Sequence, residues 1–165
     1  MDSVEVSTDV YLPPEEVYEF LLDFPRYARY SEHLTSVRQY GDGAPGTEYE
    51  LDFAWWKLSY TARSRVTGVD APERINWRLV KDVDAVGRWE VERVDEETTR
   101  VALVVEYAPG SADDDALDLP RFVSLDWVVE KIKPKVRAEA ERVVRRIVAD
   151  LEGQQRDVSL EIETN

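Results

Sequence analysis

Hydrophobic and polar positions change period several times along the chain. Residues 4–10 alternate, with Val4, Val6, Thr8 and Val10 against Glu5, Ser7 and Asp9, which is the signature of a half-buried strand. Leu12-Pro13-Pro14 ends it. Proline at the first helical position followed by Glu15-Glu16 favours a helix start, so a short helix is expected from Pro14 to about Asp23, with Val17, Phe20 and Leu21 on its apolar face. Pro25 restarts the chain. Tyr27, Tyr30 and Leu34, three and four residues apart, predict a second short helix before Val37.

From Ser36 to Tyr107 the pattern becomes a series of alternating segments divided by turn residues, as in an antiparallel meander. Tyr49, Leu51, Phe53 and Trp55 alternate with Glu48, Glu50 and Asp52. One face is aromatic and the other a row of carboxylates. Tyr60, Ala62, Ser64 and Val66 follow, opposite Thr61, Arg63, Arg65 and Thr67; then Ile75, Trp77 and Leu79; Trp89 and Val91; and Val101, Leu103, Val105 and Tyr107. Pairing of Glu48, Glu50 and Asp52 with Arg63 and Arg65 on the outer face would fix the register, at roughly 0.2–1 kcal/mol per pair.

Beyond Pro109-Gly110 comes the longest helical period. Phe122, Leu125, Val129, Ile132, Val136, Ala140, Val143, Ile147 and Leu151 predict one amphipathic helix over about Arg121 to Glu152. Pro134 is expected to kink it, and Gly153 is placed as its C-cap. The remainder, 153–165, is polar except for Val158, Leu160 and Ile162. It is expected as a polar tail, with a weak edge strand as the alternative. The organisation is therefore one domain over 1–152 followed by that tail.

Composition narrows the function. The chain has no Cys, which removes disulfides, thiol chemistry and Cys-ligated metal. Its 35 acidic against 21 basic residues give a net charge of −14, which repels phosphate backbones and anionic lipid surfaces and argues against nucleic acid as a partner. No apolar run reaches the roughly 18 residues of a membrane span, and the acidic start lacks a signal peptide's basic region. A cytoplasmic protein without integral membrane association, monomeric or a weak homodimer, is the expectation. Sixteen Arg stand against only five Lys, and this acidic, Lys-poor composition resembles proteins of salt-loving organisms.

Several motifs have a plain structural reading. Gly41-Asp42-Gly43-Ala44-Pro45-Gly46 matches G-x-G-x-x-G, but it opens an alternating strand rather than a helix, so it is expected as a hairpin loop and not a dinucleotide site. His33 is the one histidine, which excludes a multi-His metal centre and leaves it a surface or cavity-rim role. The Asp113-Asp114-Asp115 run with Asp118 lacks calcium-loop spacing and reads as a solvated loop. Lys131, Lys133, Lys135, Arg137, Arg142, Arg145 and Arg146 read as a solvated helix face, with Glu141–Arg145 and Arg146–Asp150 as its i,i+4 pairs. No cofactor, metal or catalytic set is indicated.

The informative feature is the aromatic set Phe53, Trp55, Tyr60, Trp77, Trp89 and Tyr107, all on the strand face assigned inward. Wide rings on a sheet under one long helix leave a cleft that Leu and Val would have closed. Val129, Ile132 and Val136 of the helix would form its opposite wall. A hydrophobic small molecule is the partner this predicts, with indole N–H and phenol O–H groups orienting its polar atoms.

The opening Val4-Glu5-Val6 into Pro13-Pro14-Glu15-Glu16-Val17-Tyr18-Glu19-Phe20-Leu21, then Phe24-Pro25-Arg26-Tyr27, resembles the START-like (helix-grip, SRPBCC) superfamily. Gly87-Arg88-Trp89-Glu90-Val91-Glu92 followed by Thr99-Arg100-Val101 resembles the last hairpin of its polyketide cyclase/dehydrase branch, which includes coenzyme Q-binding relatives. The likeness spans residues 3–152. It implies an α+β helix-grip fold: a curved antiparallel sheet of about seven strands, in the order β-α-α-β6-α, wrapped around a long C-terminal helix. It also implies a deep pocket for a hydrophobic or aromatic molecule, but supplies no catalytic residue to carry over. Three functions remain open: carriage of a lipid, quinone or polycyclic metabolite, with no catalysis required; a cyclase or dehydratase in which Tyr60, Tyr107 or His33 moves protons; and a protein-interaction module. The charge balance carries its own prediction, because salt near 1 M shortens the Debye length to about 3 Å and screens carboxylate self-repulsion. The melting temperature should rise steeply with KCl in calorimetry, and a flat response would remove the high-salt reading.

Overall fold

The computed structural model describes residues 2–55, 58–81, 84–108 and 125–164, with the backbone alone for 2, 55, 58, 125–137 and 164. β1 (Asp2–Val10) leads into α1 (Pro14–Leu22) and a 3-10 helix (Phe24–Arg29). β2 (Leu34–Tyr40), β3 (Glu48–Trp55), β4 (Leu58–Asp70), β5 (Arg74–Leu79), β6 (Ala85–Arg93) and β7 (Thr99–Tyr107) follow. α2 (Leu125–Glu152) and β8 (Glu161–Thr164) complete the order. The strands form one curved antiparallel sheet, β2-β3-β4-β5-β6-β7-β1-β8.

Local chemistry starts each helix. α1 has Pro14 in its first turn beside Glu15 and Glu16, and with no side-chain cap the Pro13 carbonyl accepts the Glu16 N–H at 3.1 Å. Val17, Tyr18, Phe20 and Leu21 are buried. Asp23 leaves helical geometry, and Pro25 sits in the first turn of the 3-10 helix, whose Phe24 is buried. The expected second helix is thus shorter than its Tyr27, Tyr30, Leu34 spacing implied. Leu34 instead begins β2, because pairing with Phe53 of β3 gives its backbone a ladder partner.

Period-2 alternation puts Tyr49, Val66, Ile75, Val91, Val101 and Val10 on one sheet face, where they form a single cluster with Val17, Phe20, Leu21, Phe24, Tyr30 and Val148. Full burial of a side chain such as Ile75 contributes roughly 1.5–3 kcal/mol. α1, the 3-10 helix and the C-terminal part of α2 converge over this end of the sheet, with Val143, Val144, Ile147 and Leu151 packed at its margin. Asp150 ties α2 down, accepting from the Tyr30 hydroxyl and from Arg26 at 3.0 Å. Arg146 donates to the Tyr30 carbonyl at 3.0 Å and faces Glu32 at 3.8 Å. The expected Arg146–Asp150 pair is therefore replaced by partners from the 3-10 helix and the turn after it, since tertiary contacts orient both side chains.

The opposite sheet face carries the expected charge ladder. Glu48 meets Arg63 and, at 3.0 Å, Arg65; Glu50 meets Arg63 and Arg38, both at 2.9 Å. Asp52 departs from expectation. It uses Arg38 at 3.0 Å and accepts from Ser36 and Thr61 at 2.6 Å, because β2 flanks β3 on that side.

Two expectations need correcting. The sheet has eight strands rather than about seven, and the stretch expected as a polar tail contributes the eighth. Glu161–Thr164 pairs with Val4–Ser7 of β1, whose outer edge offers a row of backbone groups. Val158, Leu160 and Ile162 are half-buried while Asp157, Ser159, Glu161 and Glu163 are exposed, so the tail's own alternation matches a strand. α2 is helical without a break at position 134. The Gly41–Gly46 motif is the β2–β3 hairpin loop, with Gly41, Gly43 and Gly46 at φ of 136°, 96° and 99°.

The ion pairs make stability acid-sensitive. Arg63 and Arg65 hold Glu48 below its usual pKa, Ser36 and Thr61 hold Asp52 down, Tyr30 and Arg26 hold Asp150 down, and Arg156 holds Glu152 down. Each folded-state pKa lies below its unfolded value, so these contributions are complete above the unfolded carboxylate range near pH 4 and vanish as pH falls through the folded values. Unfolding free energy from urea titration should fall steadily from about pH 5 downward, and Glu152→Gln should flatten part of that slope.

Candidate functional site

The inward sheet face has two zones. At the end covered by α1, Tyr49, Val66 and Ile75 are 0% exposed. Toward the other end, Tyr60, Trp77, Leu79, Leu103, Val105 and Tyr107 share that face but are only half-buried, and Phe53 is 40% exposed. Direct cross-strand pairs place Phe53 beside Tyr60, Ile75 beside Trp89, Trp77 beside Gly87, and Ala85 beside Tyr107. Five predicted site residues, Phe53, Tyr60, Trp77, Trp89 and Tyr107, therefore lie on one face of neighbouring strands. Trp55 ends β3, and Val129, Ile132 and Val136 lie on α2, but the side chains of these four fall outside the described residues. The Asp113–Asp115 run, Asp118 and the side chains of Lys131, Lys133, Lys135 and Arg137 do too.

Trp77 and Gly87 set the floor. A Cβ at position 87 would fall within the indole of Trp77, so the ring lies down across β6 instead of standing up from β5. Only glycine permits that approach. A recumbent indole contributes a flat apolar surface, and Trp77 is half-buried. Trp89, two residues along β6, has Tyr27 edge-on at 6.3 Å and marks the boundary with the packed zone.

That boundary is rich in phenols. Tyr27 donates to the Leu21 carbonyl, and burial drives its pKa well up. Tyr49 packs edge-on against Phe24 at 4.5 Å; its hydroxyl is buried and without a hydrogen-bond partner among the described residues. Burial, then Asp23 and Asp42, raise its pKa, so both groups are protonated at neutral pH. An unpaired buried hydroxyl costs roughly 1–3 kcal/mol. The sequence pattern had marked Tyr49 only as an inward strand residue.

His33 lies on the surface between the 3-10 helix and β2. Its side chain is 37% exposed, Nε2 stands 3.9 Å from Glu139 of α2, and Nδ1 is 3.2 Å from the Ala54 carbonyl. Ser31 donates to Glu139 at 3.4 Å and accepts the His33 N–H at 3.2 Å. These contacts join α2 to the start of β2. A separate open cleft of about 720 Å³ runs between the start of α1 and the β4–β5 turn, lined by Glu15, Asp70, Glu73, Arg74, Glu90, Glu92 and Arg93 among others. Its charged walls suit water rather than an apolar molecule. No group of three or more potential metal ligands occurs among the described residues, and no described helix is long and apolar enough to cross a membrane.

A family model described as polyketide cyclase/dehydrase and lipid transport matches residues 1–148. The chain belongs to this family. Solved structures agree on the fold. An aromatase/cyclase from Streptomyces sp. R1128, ZhuI, superposes with a TM-score of 0.69 at 20% identity, covering 92% of this chain and 94% of its own. A START superfamily protein from Mycobacterium smegmatis gives 0.64 at 16% identity, with 92% and 99% covered. A norcoclaurine synthase point mutant from Thalictrum flavum, in complex with a transition-state analogue, gives 0.61 at 12%, with 92% and 97%. No curated protein matches the sequence. Identities this low establish shared architecture only, so this family member's activity has to be argued from its own side chains.

Gly87→Ala tests the floor. It should force Trp77 upright or off the sheet, cost about 1–3 kcal/mol in urea unfolding and change the tryptophan fluorescence. An unaltered spectrum and unchanged stability would show that the indole does not depend on glycine there.

Proposed function

We propose that the protein binds and carries a hydrophobic small molecule, a lipid, quinone or polycyclic metabolite, between the half-buried zone of the sheet and the N-terminal half of α2. The observation that carries this reading is the Trp77–Gly87 pair: a sheet meant only to be filled has no need of a tryptophan laid flat over a glycine. Phe53, Trp55, Tyr60, Trp77, Trp89 and Tyr107 form the sheet-side wall, and Val129, Ile132 and Val136 the helix-side wall, all within a ligand-binding domain spanning residues 1–152.

Apolar contact supplies most of the affinity at about 25 cal/mol per Å² removed from water. The rings add orientation through the Trp77 and Trp89 N–H groups and the Tyr60 and Tyr107 hydroxyls. The family's description, which joins cyclase/dehydrase with lipid transport, supports a hydrophobic ligand.

Titration with the neutral apolar fluorophore N-phenyl-1-naphthylamine tests the reading. Saturable binding near one per chain is expected, weakened about tenfold or more in Trp77→Ala or Trp89→Ala, which is what losing about 1.4 kcal/mol of contact gives. Absence of saturable binding, or equal affinity in both folded variants, would overturn it.

A further inference from the structure

We propose that the C-terminal segment after α2 is a wall of the ligand chamber, and that Ile162 on β8 is the side chain through which it selects elongated apolar ligands. The inference rests on the ligand-binding reading above and adds to it an element and a ligand shape.

Strand register carries the argument. Cross-strand partners in an antiparallel sheet point to the same face. Trp89 pairs with Leu103, Leu103 with Val6, and Val6 with Ile162, so these four side chains form one row across β6, β7, β1 and β8. Three strand spacings of about 4.8 Å separate the ends, placing Ile162 about 14 Å from Trp89 along the sheet. All four are half-buried. Each side chain in the row thus keeps part of its surface exposed. Across from the sheet, Ala140 shares the helix face of Val143 and Ile147 by helical spacing, is also half-buried, and brings only a methyl group. A molecule lying along the row from Trp89 would meet Ile162 only if it were long; a compact one would stop at Leu103 or Val6.

The segment is held firmly enough to act as a wall. The Glu152 carboxylate, on a side chain only 3% exposed, accepts both Nε and Nη2 of Arg156 at 2.8 and 2.9 Å and the Tyr11 N–H at 3.0 Å. Arg156 also donates to the Asp9 carbonyl at 2.9 Å and stacks over the Tyr11 ring at 4.2 Å. Thr8 reaches the Ser159 carbonyl at 2.8 Å, Val158 packs on the core, and Arg100 binds Glu161 at 2.7 Å on the outer face. The element lies past residue 148, where the family match ends.

The experiment displaces N-phenyl-1-naphthylamine with 1-alkanols of rising length, octanol to hexadecanol, from the full chain and from Ile162→Thr. Threonine keeps the β-branched shape that suits a strand. For the variant, a loss in hexadecanol affinity of about tenfold and in octanol affinity of under about twofold is expected. A loss equal at every length, or none, overturns the wall while leaving the ligand-binding reading intact; failure of the fluorophore to bind the full chain overturns both. If Ile162→Thr does not fold, photocrosslinking the full chain with a hexadecyl benzophenone decides the matter: adducts within residues 157–164 support the wall, and adducts confined elsewhere overturn it.

Discussion

The constraint on which the rest depends is coverage of the inward sheet face. Alternation along six neighbouring strands makes that face mainly apolar, whereas the described helical packing concentrates on one end. There Val17, Phe20, Phe24 and Val148 close over Tyr49, Val66 and Ile75. Asp150, shared between Tyr30 and Arg26, fixes α2 to the 3-10 helix and so determines how the helix leaves the packed zone. The helices close one end of the sheet, and toward the other Tyr60, Trp77 and Tyr107 are half-buried and Phe53 exposed.

Strand alternation was the most legible part of the sequence. Val4 to Val10, Tyr49 to Trp55 and Val101 to Tyr107 each have a period that one buried face requires, and Glu48 and Glu50 announced the arginines opposite. What the sequence left out was long-range partnership. Nothing local to Asp52 points to Arg38, and nothing local to Arg146 or Asp150 points to Tyr30, since these contacts exist only after folding. Leu34 fitted a helical spacing as well as a strand start, and its pairing with Phe53 decided between them. Val158, Leu160 and Ile162 alternate visibly, but so short a run carries little weight until an unpaired β1 edge lies beside it.

The candidate site was legible as a set of rings on one face and not as a shape. Periodicity told which way Trp77 leaves its strand; it did not tell that the indole reclines, which needs Gly87 as its neighbour across the pair. A strand glycine and an indole ten residues earlier, read together, were the signal available. Tyr49 and Phe53 have the same parity on β3, yet one is sealed and the other 40% exposed. That difference comes from where the helices lie, which no strand pattern encodes.

The Trp77–Gly87 contact also constrains how such a sequence can diverge. A side chain at 87 is admissible only once the indole at 77 has been replaced, while 77 is free to shrink with 87 left as glycine. Substitution at this pair has a permitted order, and lineages that have once placed a bulkier residue at 87 cannot recover the reclining tryptophan without first reverting it.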